Sequence, residues 1–357
     1  MATPGDYLDA ADLKQVAAGG LVREDVLDQI FDNSDIPTIF LDAIGTDGAE
    51  NSYTEWTEDK LADPYLANKV ISGSDTLTAN NNATVANAKR VGNHCQISIK
   101  QVAVTDRTQN IAVIGRADEM GYQTARRLIE LRRDVEAISL SGQASVQDNG
   151  DTTPGQSAGA AAWIVTHKNT GAGGAVAGFQ TGTKLVTAKT PGEGRGITWT
   201  MISDLITSCY KGGGDPSVLM SIPEVTKAIG RYLFTTPYAA QPTANVSGSG
   251  PGVNQTSQGY IDVFRTDFGT TMKIVPNRLQ QGYADAVGGT VQNVADVFGF
   301  DYRYWKLGLI YGWKVDPLGK DGLSFRKLLS VDWTLKCLLE RANFLIADIN
   351  PTVAMAA

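Results

Sequence analysis

The sequence runs to 357 residues, 42% of them hydrophobic and 19% charged, which is enough apolar material for one large core or two smaller ones in an ordinary soluble protein. A formal net charge of -7 argues against a chain whose main task is gripping nucleic-acid phosphates. The first residues combine no basic stretch with an apolar one, and no apolar run reaches the roughly 20 residues that span a bilayer, so neither secretion nor membrane insertion is expected.

Residues 1 to 45 carry an amphipathic stretch around Val22 to Ile30, then Pro37, the apolar pair Ile39 and Phe40, and Gly45. A short helix with one apolar stripe needs a partner surface, so this segment reads as an arm. From Asn51 the chain shows two extended limbs: Tyr53 and Trp56 mark the outgoing one, Ser72 to Asn82 is polar, and Ile97, Ile99 and Val102 to Val104 alternate on the return. Two such limbs predict a long hairpin projecting about 40 Å, which is marginal unless it finds a surface outside its own core. The competing reading folds both limbs flat onto a sheet of the same chain.

Asp118 to Leu140 is the strongest helix signal. Ala125, Leu128, Leu131, Val135 and Ile138 recur at helical spacing, while Arg126, Arg127, Glu130, Arg132, Arg133, Asp134 and Glu136 fill much of the remaining surface. The rod would be roughly 35 Å long. Its pairs Arg126 to Glu130 and Arg132 to Glu136 stand four residues apart and predict a salt-bridged, solvated face, with an intersubunit ion-pair role as the alternative.

Ser141-Gly142 stops that helix, and a stretch rich in Gly, Ser, Thr and Ala surrounds Ala161 to His167. Thr198 is placed to cap a helix with Ile202, Leu205, Ile206 and Cys209 on one face, ended by Gly212 to Gly214. Ser221 and Glu224 stand at capping-box spacing before Val225, Ile229 and Tyr232. After a loop at 235 to 259, Ile261 to Phe264 and Met272 to Val275 predict a strand pair around Asp267-Phe268-Gly269. Val331, Trp333, Leu335, Cys337 and Leu339 alternate strictly, Arg341-Ala342-Asn343 reads as a turn, and Phe344 to Ile349 is a further strand, so the C-terminal region is expected to close a half-buried sheet.

The residues that could carry chemistry do not assemble into a recognisable site. Gly171 to Gly178 has Val176 where a dinucleotide-binding turn needs glycine, and Pro191 to Gly196 lacks the Lys-Ser/Thr ending of a P-loop; both read as mobile surface loops. Cys95, Cys209 and Cys337 are far apart and form no paired-ligand spacing, which points to buried thiols in a reducing compartment, and with His94 and His167 as the only histidines no metal site is expected. There is no G-x-S-x-G elbow. Paired carboxylates such as Glu58-Asp59 and Asp118-Glu119 read as solvated unless a fold brings them to a cleft. Tyr53 and Trp56, without interleaved basic residues, read as packing anchors rather than base-stacking platforms. The expectation is a non-enzymatic protein with no catalytic residue, cofactor or metal.

Asp118-Glu119-Met120-Gly121-Tyr122-Gln123 followed by Glu130 to Glu136 resembles the spine-helix signature of tailed-bacteriophage major capsid proteins, and Tyr53 to Leu61 is similar to that family's extended-loop motif. Lys211 to Asp215, Val218 to Ile222, Asp267 to Gly269, Ile274 to Arg278 and Asp332 to Leu335 with Asn343 and Ile349 match further family segments in order, so the resemblance covers nearly the whole chain. It implies an α+β fold, shared with herpesvirus floor domains and encapsulins: an N-terminal arm (1–47), an extended β-hairpin loop (48–95), a peripheral domain (96–196 and 301–357) with the spine helix at 118–140, and an axial domain (197–300). It implies assembly roles for Tyr53, Trp56 and Glu58 on the loop and for Arg126, Arg127, Glu130, Arg132 and Arg133 on the spine. The implied function is self-assembly, as hexamers and pentamers, into the icosahedral head of a tailed phage around double-stranded DNA that is bound without sequence specificity. Assembly is expected in the host cytoplasm and residence in the virion, with no membrane partner. No scaffold-sized segment precedes the arm, so a separate scaffolding protein and a portal are the expected partners. An encapsulin-like nanocompartment shell is the alternative, and an enzyme with a scattered site the remote one.

Overall fold

The computed structural model describes residues 37–61, 64, 66, 69, 72, 88–111, 118–235, 263–266, 268–284, 294–320 and 322–353, with 231–235 in backbone only. The amphipathic stretch at Val22 to Ile30, nearly all of the polar segment at 72–82 and the loop beyond Thr235 lie outside these residues.

In chain order, α1 (Ile39–Ala43) leads into β1 (Gly45–Gly48), followed by β2 (Tyr53–Glu58), β3 (Lys89–His94) and β4 (Gln96–Thr105). The short α2 (Asp106–Asn110) precedes the long α3 (Glu119–Ser139) and α4 (Ala160–Trp163). Next come β5 (Lys168–Asn169), β6 (Gly178–Gln180), β7 (Leu185–Thr187), α5 (Trp199–Lys211), β8 (Val218–Ser221) and α6 (Pro223–Thr235). The remaining strands are β9 (Val263–Arg265), β10 (Thr271–Pro276), β11 (Ala295–Phe300), β12 (Trp305–Leu318), β13 (Ser324–Cys337) and β14 (Phe344–Ile349).

Two sheets organise these elements. The first has the order β1-β12-β13-β4, with β1 parallel to β12 and the rest antiparallel. The second is mixed, with the order β5-β14-β11-β8-β10-β9. Helix α3 lies on the first sheet, where Leu131 and Val135 pack in one apolar cluster with Val102, Val104, Leu329 and Val331. Helices α5 and α6 cover the second sheet, joining Ile202, Ile206, Val225 and Ile229 to Leu219, Met272, Ile274, Val297 and Ile346. Truncating a fully buried Leu such as Leu131 would cost ~2–5 kcal/mol.

Many predicted elements are present. Thr198 caps α5, its hydroxyl accepting the Met201 amide at 3.3 Å, and β9 and β10 pair antiparallel as expected. The strongest helix signal materialises as α3, with Asp118 and Leu140 as its caps.

Four expectations need correction. The returning limb of the hairpin is β3, which pairs with β2 from Glu58↔Lys89 to Tyr53↔His94. Ile97, Ile99 and Val102 to Val104 belong instead to β4, which pairs along its length with β13. Alternating residues suit any half-covered strand, so the pattern identified a strand and not its partner. Similarly, β13 and β14 do not close one half-buried sheet: they lie in different sheets, and every residue of β14 is buried. Ser221 does not cap α6; its hydroxyl donates to the Asp296 carbonyl at 2.8 Å across the sheet.

The Gly-rich loops are the fourth correction. Gly171 and Gly192 are buried and converge with Gly174 on the Asp348 carboxylate, whose Oδ2 accepts the Gly171 amide at 2.9 Å. A methyl group added at Gly174 or Gly192 would come within 2.7 or 2.8 Å of that oxygen. Glycine is required here by close approach, and the loops are packed rather than mobile.

Candidate assembly surface

The ribbon root is built by β2 and β3. Tyr53 lies flat across the strand pair because Gly92 has no side chain: a methyl there would meet the Tyr53 hydroxyl oxygen at 2.6 Å. Its ring packs on His94 with centroids 4.7 Å apart. Trp56 is the main anchor. Its indole Nε1 donates to the Cys337 carbonyl at 2.8 Å, and its ring packs against Trp163 at 5.4 Å, where Trp163 in turn stacks parallel to Phe179 at 6.2 Å. Aromatic pairs of this kind add about 0.5–1.5 kcal/mol beyond the area they bury. The reading of Tyr53 and Trp56 as packing anchors therefore describes their surroundings. Glu55 completes the root by pairing with Arg90 on the opposite strand and lies 3.9 Å from Lys184.

Glu58, the last residue of β2, differs from the solvated carboxylate expected. It lines a cleft of about 220 Å³ with Lys89, Val91, Trp163, Val165, Phe179, Glu340 and Arg341. Burial, and then the Glu340 carboxylate, push its pKa up to about 7, against the partial relief of Arg341 and Lys89. Nothing near Glu58 in sequence announces this, since Glu340 arrives from 282 positions further along (340 − 58).

The spine presents two kinds of charge. Arg126 and Arg127 are exposed and both reach Glu130, at 4.0 and 2.5 Å, so the predicted Arg126 to Glu130 pairing is present on this face. Arg133 is half-buried one turn further on. The second predicted pair fails. Arg132 reaches across to Asp42 on α1 at 2.7 Å, while Glu136 is fully buried and accepts the backbone amides of Phe40 and Leu41, both at 2.8 Å, and the Asn277 side-chain amide at 2.7 Å. Burial raises the Glu136 pKa, opposed by these three hydrogen bonds. The result is a polar clamp that fixes α1 on α3, reinforced by Phe40 against Phe300 at 4.9 Å and Trp305 at 5.9 Å.

A second buried polar cluster was not foreseen. Lys189 Nζ lies 2.7 Å from both oxygens of Asp296 and 3.9 Å from Asp348, and the Tyr283 hydroxyl bridges the two carboxylates at 2.5 and 2.9 Å. Asp348 itself sits at φ 64°, a left-handed conformation uncommon for a residue with a side chain. The cluster ties the Gly-rich loops to β11 and β14. Its members are enclosed and mutually satisfied, so it reads as structural.

Among the described residues no group of three or more His, Cys, Asp or Glu side chains is placed to hold a metal ion, and no helix is long and apolar enough to cross a membrane. What the structure offers is a two-stranded ribbon root anchored by Trp56, a long helix with an exposed charged face, and a β4 edge carrying exposed Ile97 and Ile99.

This architecture has solved counterparts. The chain is similar to the capsid asymmetric unit of cyanophage A-1(L) (TM-score 0.58, 12% identity, 92% of this chain and 97% of that one). It is similar to the SrpI encapsulin of Synechococcus elongatus in its holo complex (TM-score 0.55, 11% identity, 97% and 99% covered) and to the capsid of a native GTA particle (TM-score 0.53, 13% identity, 96% and 99% covered). The fold thus defines a class: the shell-subunit fold common to tailed-phage capsids and encapsulins. Within sequence, the chain is 26% identical over 272 residues to the major capsid protein of Escherichia phage Phieco32, covering 68% of this chain and 73% of that protein. A family model described as SU10 major capsid protein matches residues 9–350, and the chain belongs to that family of tailed-phage major capsid proteins.

Proposed function

We propose that this chain is the subunit from which an icosahedral phage head is built, assembling with copies of itself as hexamers and pentamers around double-stranded DNA. The observation that carries the reading is the family match across residues 9–350, which takes in the arm, ribbon, spine and both sheets. Physical features support it. The β2–β3 pair and the exposed α3 face offer different surfaces on one subunit, and heterologous contacts between unlike surfaces close into rings when the rotation fits. A net charge of -7 keeps the wall from adhering to the packaged polyanion. A separate scaffolding protein and a portal complete the proposed set of partners, with assembly in the host cytoplasm. Nothing in this role needs turnover chemistry.

Within the subunit we assign residues 1–47 to the arm, 48–95 to the extended loop, 96–196 and 301–357 to the peripheral domain and 197–300 to the axial domain, with the amendment that β14 lies in the sheet otherwise built by β5, β8, β9, β10 and β11. Two apolar clusters, one under α3 and one under α5 and α6, give each part its own core, although Met220, Phe298 and Phe300 of 197–300 join the first and Phe344, Ile346 and Ile349 of β14 join the second. Tyr53, Trp56 and Glu58 would set the ribbon's departure, and Arg126, Arg127, Glu130, Arg132 and Arg133 would face neighbouring subunits or their solvent boundary.

Electron microscopy of the purified chain, alone and co-expressed with the other head proteins, tests the proposal. Closed shells with five- and six-fold capsomers are the expected result. A chain that stays monomeric under every assembly condition, and that no particle contains, would overturn it.

A further inference from the structure

The ribbon root carries a pair of like charges where a purely structural joint would carry none. Glu58 and Lys89 form the outermost described rung of the β2–β3 pair, and the Glu58 side chain turns into the cleft beside Glu340. Glu340 is firmly held: its carboxylate accepts the backbone amides of Val165 and Thr166 at 3.1 and 3.2 Å and the Thr166 hydroxyl. Glu58, by contrast, receives the Glu340 backbone amide, and among the described residues no side chain donates to it. The floor of the cleft is apolar, formed by Val91, Trp163 and Phe179. A charge entering such a site is screened less than one at the surface.

We infer that Glu58 and Glu340 form a proton-gated latch at the ribbon root: with Glu58 protonated the outermost rung stays seated over the cleft, and with Glu58 ionised the two carboxylates repel and the rung opens. The groups facing Glu58 are Glu340 and Arg341 from the turn after β13, Lys89 from β3, Thr166 from the segment before β5, and the buried Cys337 thiol at the end of β13. His167, which senses Glu340 and Arg341, is held below its usual pKa by burial. Lys89 and Arg341 act on Glu58 in the opposite sense to Glu340, each favouring its ionised form. Burial and Glu340 together push the Glu58 pKa up to about 7, which brings the change in its charge into the neutral range. The latch is independent of the shell reading, since every part of it lies within one chain.

Hydrogen exchange read by mass spectrometry on the full-length chain tests it, with each rate normalised to the chemical exchange of the same amide at the same pH. Peptides covering Thr57–Glu58 and Lys89–Val91 should show normalised opening that rises about tenfold between pH 6 and pH 8.5, while peptides from the centre of β13 stay unchanged. The Glu58→Gln variant should remain at the protected level across that range. A wild-type ratio within twofold would overturn the latch, and so would a Glu58→Gln chain that keeps the full rise. The result does not depend on whether the chain forms shells.

Discussion

The Glu136 carboxylate and the Asn277 side-chain amide meet at 2.7 Å inside the molecule, with the amides of Phe40 and Leu41 completing the set. Residues from α1, α3 and the segment after β10 are thereby locked at one point. Glu136→Ala strands three buried donors and should destabilise the chain by about 3 kcal/mol or more. Asn277→Ala should cost less, about 1–2 kcal/mol, and the double variant should cost less than the sum. Urea unfolding of the free subunit measures all three.

The exposed trio Arg126, Arg127 and Glu130 should behave in the opposite way. Replacing both arginines by Ala should change subunit stability by no more than ~1 kcal/mol, as is usual for solvent-exposed pairs. If the same variant also slows or misdirects particle formation, followed by light scattering and microscopy, this face meets a neighbouring subunit. Unchanged assembly would assign it to solvent.

Lys189→Met should be severe. Removing the ammonium leaves the Asp296 and Asp348 carboxylates enclosed together around the Tyr283 hydroxyl, and breaking a buried ion pair from one side costs about 3–5 kcal/mol. Chemical denaturation gives the size. The Gly-rich loops should lose hydrogen-exchange protection with it, because Lys189 and Asp348 hold them to the strands.

All three thiols should be silent in the native chain. Burial pushes Cys95 up to about 11 and Cys209 up to about 12, and holds Cys337 well above the usual thiol range. The nucleophilic thiolate is therefore scarce at pH 8 and shielded as well. Titration with a disulfide reagent at that pH should find no fast thiol, and three per chain once guanidinium is added.

Glu58 predicts the sign of one pH dependence. Its folded-state pKa of about 7 lies above the ordinary 4.5, so the folded chain retains a proton that the unfolded chain releases, and stability falls as pH rises between those values. Glu58→Gln should remove that loss, with no gain at pH 4.5 and a clear stabilisation over the wild type at pH 8. Thermal melts at the two pH values compare directly.

Local signals in the sequence carried the elements well and their partners poorly. The α3 stripe, the Thr198 cap and the β9–β10 pair were legible because spacing and capping chemistry act within a few residues. Glu136 was not: it lies on the flank of the stripe beside Arg132, and only the arrival of α1 and Asn277 buries it. The same holds for Glu58, whose environment depends on Glu340, and for Gly171 and Gly192, whose packing depends on Asp348. Family likeness, read from ordered motifs, supplied the architecture that periodicity could not. The particular contacts at the ribbon root lay beyond both, since each joins segments far apart in the chain.

The hydrogen bond from Trp56 to the Cys337 carbonyl spans 281 residues. During synthesis the ribbon root leaves the ribosome long before its anchoring strand has been made, and at ~5–20 residues per second that wait lasts many seconds. A nascent chain therefore cannot hold its ribbon in the finished position. The Trp56 anchor can form only once the chain has been made through Cys337, so any product truncated before that strand lacks it.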